Sequence, residues 1–291
     1  MNLHKFIQRI CAATVASALT LSLCTPVLAE GTAALPAAEP GTSQRDETGG
    51  IPIDSTHFPD DNFIAYVELG CDKDHDGTLS QDELNRVTEL YVDHANIKDL
   101  TGIELFPNLD KLDCKYNNLT RLDVSKNTKL TKLYCESNQL TGLDLSKNTA
   151  LTELNCQDNQ LTSLDLSKNT ALTKLYCALN QLTSLDLSKN TALTILGCSG
   201  NNRQITVGET GQFDLSALKG FDVSKASGWS EGAAVDGNIL TVPYGVTKIS
   251  YQYDLGNEKS GTFTLTFDEV KEPNLPDDSS APADTGSTAG G

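Results

Sequence analysis

The stretch Leu151–Ala171 reads LTELNCQDNQLTSLDLSKNTA and recurs along the middle of the chain with a period of 21 residues. Each unit carries one cysteine in step, at Cys114, Cys135, Cys156, Cys177 and Cys198. Each also carries one asparagine in step, at Asn117, Asn138, Asn159, Asn180 and Asn201. A fixed period of this length predicts a repeat solenoid, in which each unit buries its apolar face only against its neighbours.

The first half of the unit predicts a short strand. Leu154 and Cys156 are expected to point inward, with Glu153 and Asn155 outward, because side chains alternate along a strand. Equivalent strands would then stack in parallel about 4.8 Å apart. Asn159 is expected to bond backbone groups in the following turn, so that the asparagines form a ladder.

The second half, LTSLDLSKN, has the same shape as the first. It predicts a second short strand on the opposite side of the coil and little helix in the repeats.

The cysteine column allows three interpretations: buried free thiols, disulfides or a zinc site. In a straight column the Cβ atoms lie about as far apart as the strands, whereas a disulfide needs them about 3.8 Å apart. Zinc needs ligands that converge, which a column does not provide. Free buried thiols are therefore predicted, and Cys71, outside the column, is left undetermined.

The pattern L-x-x-L-x-C-x-x-N-x-L resembles that of bacterial leucine-rich repeats, in a nested, cysteine-bearing subclass, from roughly Val87 to Asn202. The longer segment Val92–Cys114 resembles the first repeat of internalin-like proteins, with Ala95 in place of the ladder asparagine. The resemblance implies a solenoid over residues 92–203 that is mainly β, with short strands on both sides.

The segment DKDHDGTLSQDEL, from Asp72 onward, matches an EF-hand calcium loop. Oxygen ligands at these spacings suit Ca²⁺ rather than zinc or copper. The predicted calcium ligands are Asp72, Asp74, Asp76, the carbonyl of Thr78, and Glu83. The alternative is an acidic turn in which Ser80 and Glu83 only form a helix capping box.

The remaining regions are assigned by composition. Residues 53–91 are predicted to form a small helical, EF-hand-like N-terminal cap that calcium staples to the solenoid. Residues 204–269 alternate polar and apolar residues and predict a β-rich C-terminal cap, with a hairpin at DLGNEKSG. Residues 30–52 and 270–291 are predicted to be a disordered linker and tail, because the first segment is rich in Ala, Gly, Pro and Thr and the second has a similar composition.

The first 29 residues read as a signal peptide. Lys5 and Arg9 precede the apolar run Ile10–Leu23, which is too short to span a membrane, and Val27–Ala29 is a plausible cleavage site. Secretion to the extracellular space is therefore predicted, with no membrane span after the signal peptide is removed.

A candidate ligand face lies on the outward side of the first strands. Its residues are Tyr134, Tyr176, Asn155, Lys132 and Lys174. Aromatic and amide side chains are common at binding surfaces, whereas the alternative is a solvated face with tyrosines favoured by strand propensity. A second column, Asp123, Asp144, Asp165 and Asp186, is expected to bond local backbone.

The net charge of −17 at pH 7 argues against nucleic acid as a partner. His57, His75 and His94 lie in no nucleophile or zinc signature, so the chain is predicted not to be an enzyme. We predict a secreted, calcium-binding, monomeric leucine-rich repeat protein that binds an extracellular protein or glycan. The alternatives are a non-catalytic accessory module of a secreted hydrolase system and a structural spacer.

Overall fold

The computed structural model describes residues 49–270 and residue 272. The predicted signal peptide, nearly all of the predicted tail and residues 30–48 of the predicted linker lie outside these residues. Within the described part of the chain, no helix combines the length and apolar character needed to cross a membrane.

The N-terminal region contains two short strands and two helices: β1 (Ile51–Pro52), α1 (Asp61–Gly70), β2 (Thr78–Leu79) and α2 (Gln81–Arg86). β1 pairs antiparallel with β2. Residues 51 and 52 were predicted to belong to the linker, but this pairing makes them part of the fold. Two residues are too few to show a strand pattern in sequence, because their pairing is decided by the partner strand.

Helix α1 is fixed at its start and along one face. The side chain of Asp60 accepts the N–H groups of Asn62 and Phe63, which satisfies two of the free donors at a helix N-terminus. Phe63 and Val67, four residues apart, are buried against the core.

The repeats form one sheet of six parallel strands in chain order. These strands are β3 (Glu89–Tyr91), β4 (Lys111–Asp113), β5 (Lys132–Tyr134), β6 (Glu153–Asn155), β7 (Lys174–Tyr176) and β8 (Ile195–Gly197). Leu112, Leu133, Leu154 and Leu175 stack in register, each 1 % exposed or less, and form the axis of the core. The predicted leucine-rich repeat solenoid is confirmed, and its strands on this side lie where the sequence placed them.

The predicted asparagine ladder is also confirmed. Nδ2 of Asn138 donates to the carbonyls of Cys114 and Cys135 at 3.0 and 3.1 Å. Its Oδ1 accepts the N–H of Leu119 at 3.0 Å. One buried amide therefore joins two successive rungs, and the same bonds recur at each repeat.

The second short strand predicted on the opposite side is wrong for the described repeats, where that side has turns instead. Asn127 N–H donates to the carbonyl of Val124, and Leu130 N–H donates to that of Asn127, so the chain turns tightly twice. The side chain of Asn148 then donates to the same two carbonyls from the next rung, at 2.9 and 3.0 Å. A second asparagine ladder thus replaces the backbone pairing that a strand would need.

The C-terminal region is built of β-strands, and β9 (Asn201–Gln204) continues from the last rung. The other strands are β10 (Gln212–Asp214), β11 (Ala226–Ser227), β12 (Ala234–Asp236), β13 (Ile239–Thr241), β14 (Lys248–Gly256) and β15 (Lys259–Thr266). They form a four-stranded sheet of order β11-β14-β15-β9 and a three-stranded sheet of order β10-β13-β12.

The β14–β15 hairpin forms at the predicted position. Asn257 and Glu258 at its tip have positive φ values of 51° and 60°, the conformation that a tight hairpin turn requires. The hairpin carries the aromatic core of the cap: Trp229 stacks on Tyr251 with ring centroids 4.5 Å apart. The Tyr251 hydroxyl donates to the carbonyl of Thr183 at 2.6 Å, which fastens the cap to the repeats.

Candidate binding face and acidic loop

The outward side chains of the parallel sheet form aligned columns. The central column runs Tyr91, Asp113, Tyr134, Asn155, Tyr176 and Gly197. The column beside it runs Glu89, Lys111, Lys132, Glu153, Lys174 and Ile195. All five residues of the predicted ligand face therefore lie on one surface. Their role in binding stays a prediction.

Glu153 is the centre of this surface. Its Oε2 accepts the hydroxyl of Tyr134 at 2.8 Å, and its Oε1 lies 3.1 Å from Nζ of Lys174 and 3.8 Å from Nζ of Lys132. The Tyr134 hydrogen bond, aided by both lysines and opposed by partial burial, lowers the pKa of Glu153. Partial burial and the same bond raise the pKa of Tyr134.

The sequence prediction did not include Glu153 among the site residues. The feature of the sequence that could have identified Glu153 is the order Lys132, Glu153, Lys174 in one column, because it places a carboxylate between two cations on neighbouring strands. Cross-strand pairs of opposite charge are a known source of sheet stability.

The two ends of the face differ in polarity. Toward the N-terminus, the Nζ of Lys111 lies 4.6 Å from the ring centroid of Tyr91 and 5.5 Å from that of Tyr134. Toward the C-terminus, Tyr176, Leu179 and Ile195 are 36 %, 52 % and 41 % exposed. The face therefore changes from a charged network to an apolar surface.

The aspartate column on the opposite side acts locally, as predicted. Oδ1 of Asp123 accepts the N–H of Ser125 at 2.9 Å, and the bond recurs from Asp144 to Ser146 at the same length. These N–H donors lower the pKa of both carboxyl groups. The bonds account for the aspartates without any ligand.

The cysteines in the described residues are unpaired, as predicted for the ladder. Cys114, Cys135, Cys156 and Cys177 are fully buried, and this burial raises the pKa of each thiol. Cys198 in the last rung is only half-buried, which differs from the prediction that all five are buried. Cys71, which the sequence left open, is a buried free thiol.

The acidic loop brings three of the five predicted calcium ligands together. Asp72, Asp74 and Asp76 each offer a carboxylate oxygen, and these atoms lie within 4.8 Å of one another. Asp72 is buried and held in place, because its oxygens accept the N–H groups of His75 at 2.7 Å and Gly77 at 3.0 Å. Thr78 lies in β2, at the end of this loop.

Glu83 lies outside this group of three and holds both ends of the loop. Its Oε1 accepts the N–H of Lys73 at 2.7 Å, and its Oε2 accepts the N–H of Ser80 at 2.9 Å. Burial alone would raise the pKa of Glu83, but these donors lower it overall. The capping box considered in the sequence analysis is present at the start of α2. A role for Glu83 in binding calcium stays a prediction.

These features define an internalin-like leucine-rich repeat solenoid with a column of buried cysteines. The sequence is similar to Internalin J of Listeria monocytogenes serotype 4b (strain F2365), with 46 % identity over 71 residues. The structure is similar to the functional domain of InlJ from Listeria monocytogenes, described as including a cysteine ladder, at 45 % identity and a TM-score of 0.51. That likeness covers 53 % of this chain and 34 % of the InlJ domain.

The likeness is local. The matched residues make up 24 % of this chain and 8 % of Internalin J. An internalin (inlF) from Listeria monocytogenes strain 4b F2365 gives 30 % identity and a TM-score of 0.47 over 52 % of this chain and 46 % of that one. No known family profile matches the sequence. That the chain is not an enzyme stays a prediction.

Proposed function

We propose that this chain is a secreted, calcium-binding leucine-rich repeat protein that recognises an extracellular partner through the outward face of its parallel sheet. The observation that carries the proposal is the network of Tyr134, Glu153, Lys132 and Lys174. The support for secretion is the predicted signal peptide, and the support for calcium is the acidic loop.

The network makes the face suitable for binding because its side chains are already ordered. Long charged side chains lose rotamer freedom when a partner immobilises them, at about 0.5–1.5 kcal/mol each. Here Lys174 and Glu153 are tied to each other, and Tyr134 is half-buried with its hydroxyl bonded. A partner therefore meets a preformed surface.

The charge pattern favours a protein partner over a glycan. Alternating Lys132, Glu153 and Lys174 present both signs at fixed spacing, which complements the mixed charges of a protein surface. A glycan is the second candidate, because the ring of Tyr176 is exposed and can stack on a sugar. An accessory role beside a secreted hydrolase is compatible with either partner.

The test is to probe protein and glycan arrays with the chain from residue 30 onward, then to measure the affinity of the partner found. The double variant Tyr134→Ala and Tyr176→Ala should weaken that affinity by about 1–4 kcal/mol, as for aromatic residues at other interfaces. The matched control is Tyr244→Ala, since Tyr244 is also exposed but lies in the C-terminal cap. Equal affinities of the double variant and the parent for the partner would refute the proposed face.

The calcium part of the proposal rests on donor chemistry. Three carboxylates within 4.8 Å repel one another unless a cation lies between them. Asp72, Asp74 and Asp76 offer the hard oxygen donors that Ca²⁺ prefers, with the carbonyl of Thr78 and the carboxylate of Glu83 as the remaining ligands. The residues present therefore fit the ion.

The ion would act as a structural staple rather than a sensor. Helix α2 ends at Arg86 and the first repeat strand begins at Glu89, so no flexible segment separates the loop from the sheet. A single extracellular-type loop binds calcium at roughly 10⁻⁴–10⁻³ M. Calorimetric titration should show one calcium site that is lost in Asp74→Asn and kept in Asp82→Asn, an exposed carboxylate outside the loop ligands. Absence of a saturable site would refute the assignment.

A further inference from the structure

The last strand of the parallel sheet, β8, has a free edge among the described residues. In the rung before it, Cys177 N–H donates to the carbonyl of Gly197 at 2.8 Å, and the carbonyl of Thr173 accepts from Thr194 and Ile195. The counterparts in the last rung are the N–H of Cys198 and the carbonyl of Thr194. Neither has a backbone partner in the part of the chain that the structure describes.

The C-terminal cap does not cover this edge, because it attaches at another side of the rung. Its strand β15 pairs with β9, beyond the turn that follows β8, and Gly261 lies close to the Cys198 sulfur. Leu196 and Cys198 are consequently half-buried, whereas Leu175 and Cys177 one rung earlier are fully buried. The core of the solenoid is thus partly open at its last strand.

The edge also lacks the charges that normally protect free strands. The column that carries Lys111, Lys132, Glu153 and Lys174 ends in Ile195, which is 41 % exposed. At the opposite edge of the sheet, the same column begins with the charged Glu89. Charged side chains on edge strands discourage pairing with another chain. Of the two edges of this sheet, β8 is therefore the one suited to pairing with a strand of another chain.

We propose that β8 accepts an extended, uncharged segment of a partner protein as a further strand of the sheet. Only another extended backbone offers N–H and C=O groups at the spacing of the free groups on Cys198 and Thr194. An apolar residue on its inner side would cover Leu196 and Cys198, and the next residue along would pack beside Ile195 on the outer face.

A segment of another protein fits this edge better than a second copy of the chain does. Two copies would each bring a net charge of −17 to the contact. The three-residue strand Ile195–Gly197 provides far less than the roughly 800 Å² per partner that a stable interface usually buries. A flexible segment can follow the edge without bringing a charged body close to it.

The probe is a labelled synthetic peptide with the uncharged sequence of residues 191–199 carrying Cys198→Ser. Binding is followed by fluorescence anisotropy, and the edge is followed by hydrogen exchange of the Cys198 amide in the protein. We expect the peptide to bind and to slow that exchange. Ile195→Lys should raise the dissociation constant at least about tenfold. It should keep the melting temperature, because Lys174 occupies the equivalent position one rung earlier.

Ala150→Lys is the matched control, because it adds the same charge on an exposed turn of an earlier rung and should leave peptide binding unchanged. Tyr134→Ala should also leave it unchanged, which separates this site from the face proposed above. Unaltered exchange at Cys198 with peptide at millimolar concentration overturns the proposal. Dimerisation of the protein alone that Ile195→Lys abolishes, measured by sedimentation, also overturns it, in favour of a second copy.

Discussion

The caps at the two ends of the solenoid are held together by different chemistry. At the N-terminal end, carboxylates accept backbone N–H groups: Asp60 accepts from Lys98 in the first repeat at 2.7 Å, and Glu83 holds the acidic loop. At the C-terminal end, stacked aromatic rings fill the cap, with Tyr251 1 % exposed between Trp229 and Phe263.

This difference shows that a solenoid end can be covered in two ways, with different sensitivities. Bonds to carboxylates depend on ionisation and on a cation, so the N-terminal end should respond to pH and calcium. Burial of aromatic rings depends on area and packing, so the C-terminal end should respond to cavities but not to ions. Because rungs contact only their neighbours, each end should fail separately.

The largest expected effect is at the aromatic end. Tyr251→Ala removes a buried ring and leaves the Thr183 carbonyl without its donor, so the free energy of unfolding should fall by about 3–5 kcal/mol. Hydrogen exchange should speed up in β14 and β15 and stay unchanged in α1. Tyr244→Ala, at an exposed ring of the same cap, is the control and should change little. Equal loss of protection at both ends would contradict independent caps.

Calcium should act at the other end alone. At tenfold its dissociation constant, calcium should stabilise the fold by about 1.4 kcal/mol, so chelation should lower the melting temperature. On chelation, protection from hydrogen exchange should be lost over residues 57 to 100 and kept in the later repeats. Glu83→Gln should make melting indifferent to chelator. If calcium changed partner affinity but not melting, a regulatory role would replace the staple.

The contact between Asp60 and the first repeat should contribute about 1 kcal/mol. Asp60→Ala removes the cap of α1 together with the bond to Lys98 N–H, and caps of this kind typically contribute 0.5–2 kcal/mol. Chemical denaturation measures the change. Asp61→Ala, at the exposed neighbouring position, is the control. An equal loss of stability from both substitutions would indicate a general attraction of carboxylates to the helix N-terminus instead of a specific cap.

The smallest effect concerns the thiol at each end. In the folded protein, maleimide should label half-buried Cys198 before Cys71, whose pKa burial raises to about 11. Labelling of both should accelerate about tenfold per pH unit below the pKa, since the thiolate is the reactive form. Cys198→Ser should remove the fast phase. In denaturant without reductant, all the ladder cysteines should react, and fewer labels would reveal disulfides.

The repeat period was enough to predict most of the solenoid. A spacing of 21 residues places Cys156 and Asn159 in fixed columns, and the alternation around Leu154 sets which neighbours face outward. The missing second strand was not predictable from the same pattern. LTSLDLSKN alternates like a strand, but the amide of Asn148 occupies the carbonyls that pairing would have used.

The candidate site was predicted by position rather than by contact. The columns placed Tyr134 and Tyr176 on one face, yet the central role of Glu153 depends on how far its side chain reaches across two strands. Similarly, the loop pattern predicted Asp72 as a calcium ligand and offered a capping box between Ser80 and Glu83, but it did not show that Glu83 also bonds the N–H of Lys73. Side-chain reach is set by tertiary geometry, which a linear pattern does not contain.

The two asparagine ladders make the length of the protein adjustable in whole units. Deletion of residues 139–159 would join Asn138 to Gln160, and the asparagine-ladder bonds and the backbone pairing could form again with the next available rung. The distance between the caps would shorten by one step of about 4.8 Å, and Glu153 and Asn155 would leave the face. A deletion whose length is not a multiple of 21 residues would put both ladders out of step. Recombination between near-identical repeats in the gene would therefore yield folded variants in which the distance between the caps differs by whole rungs.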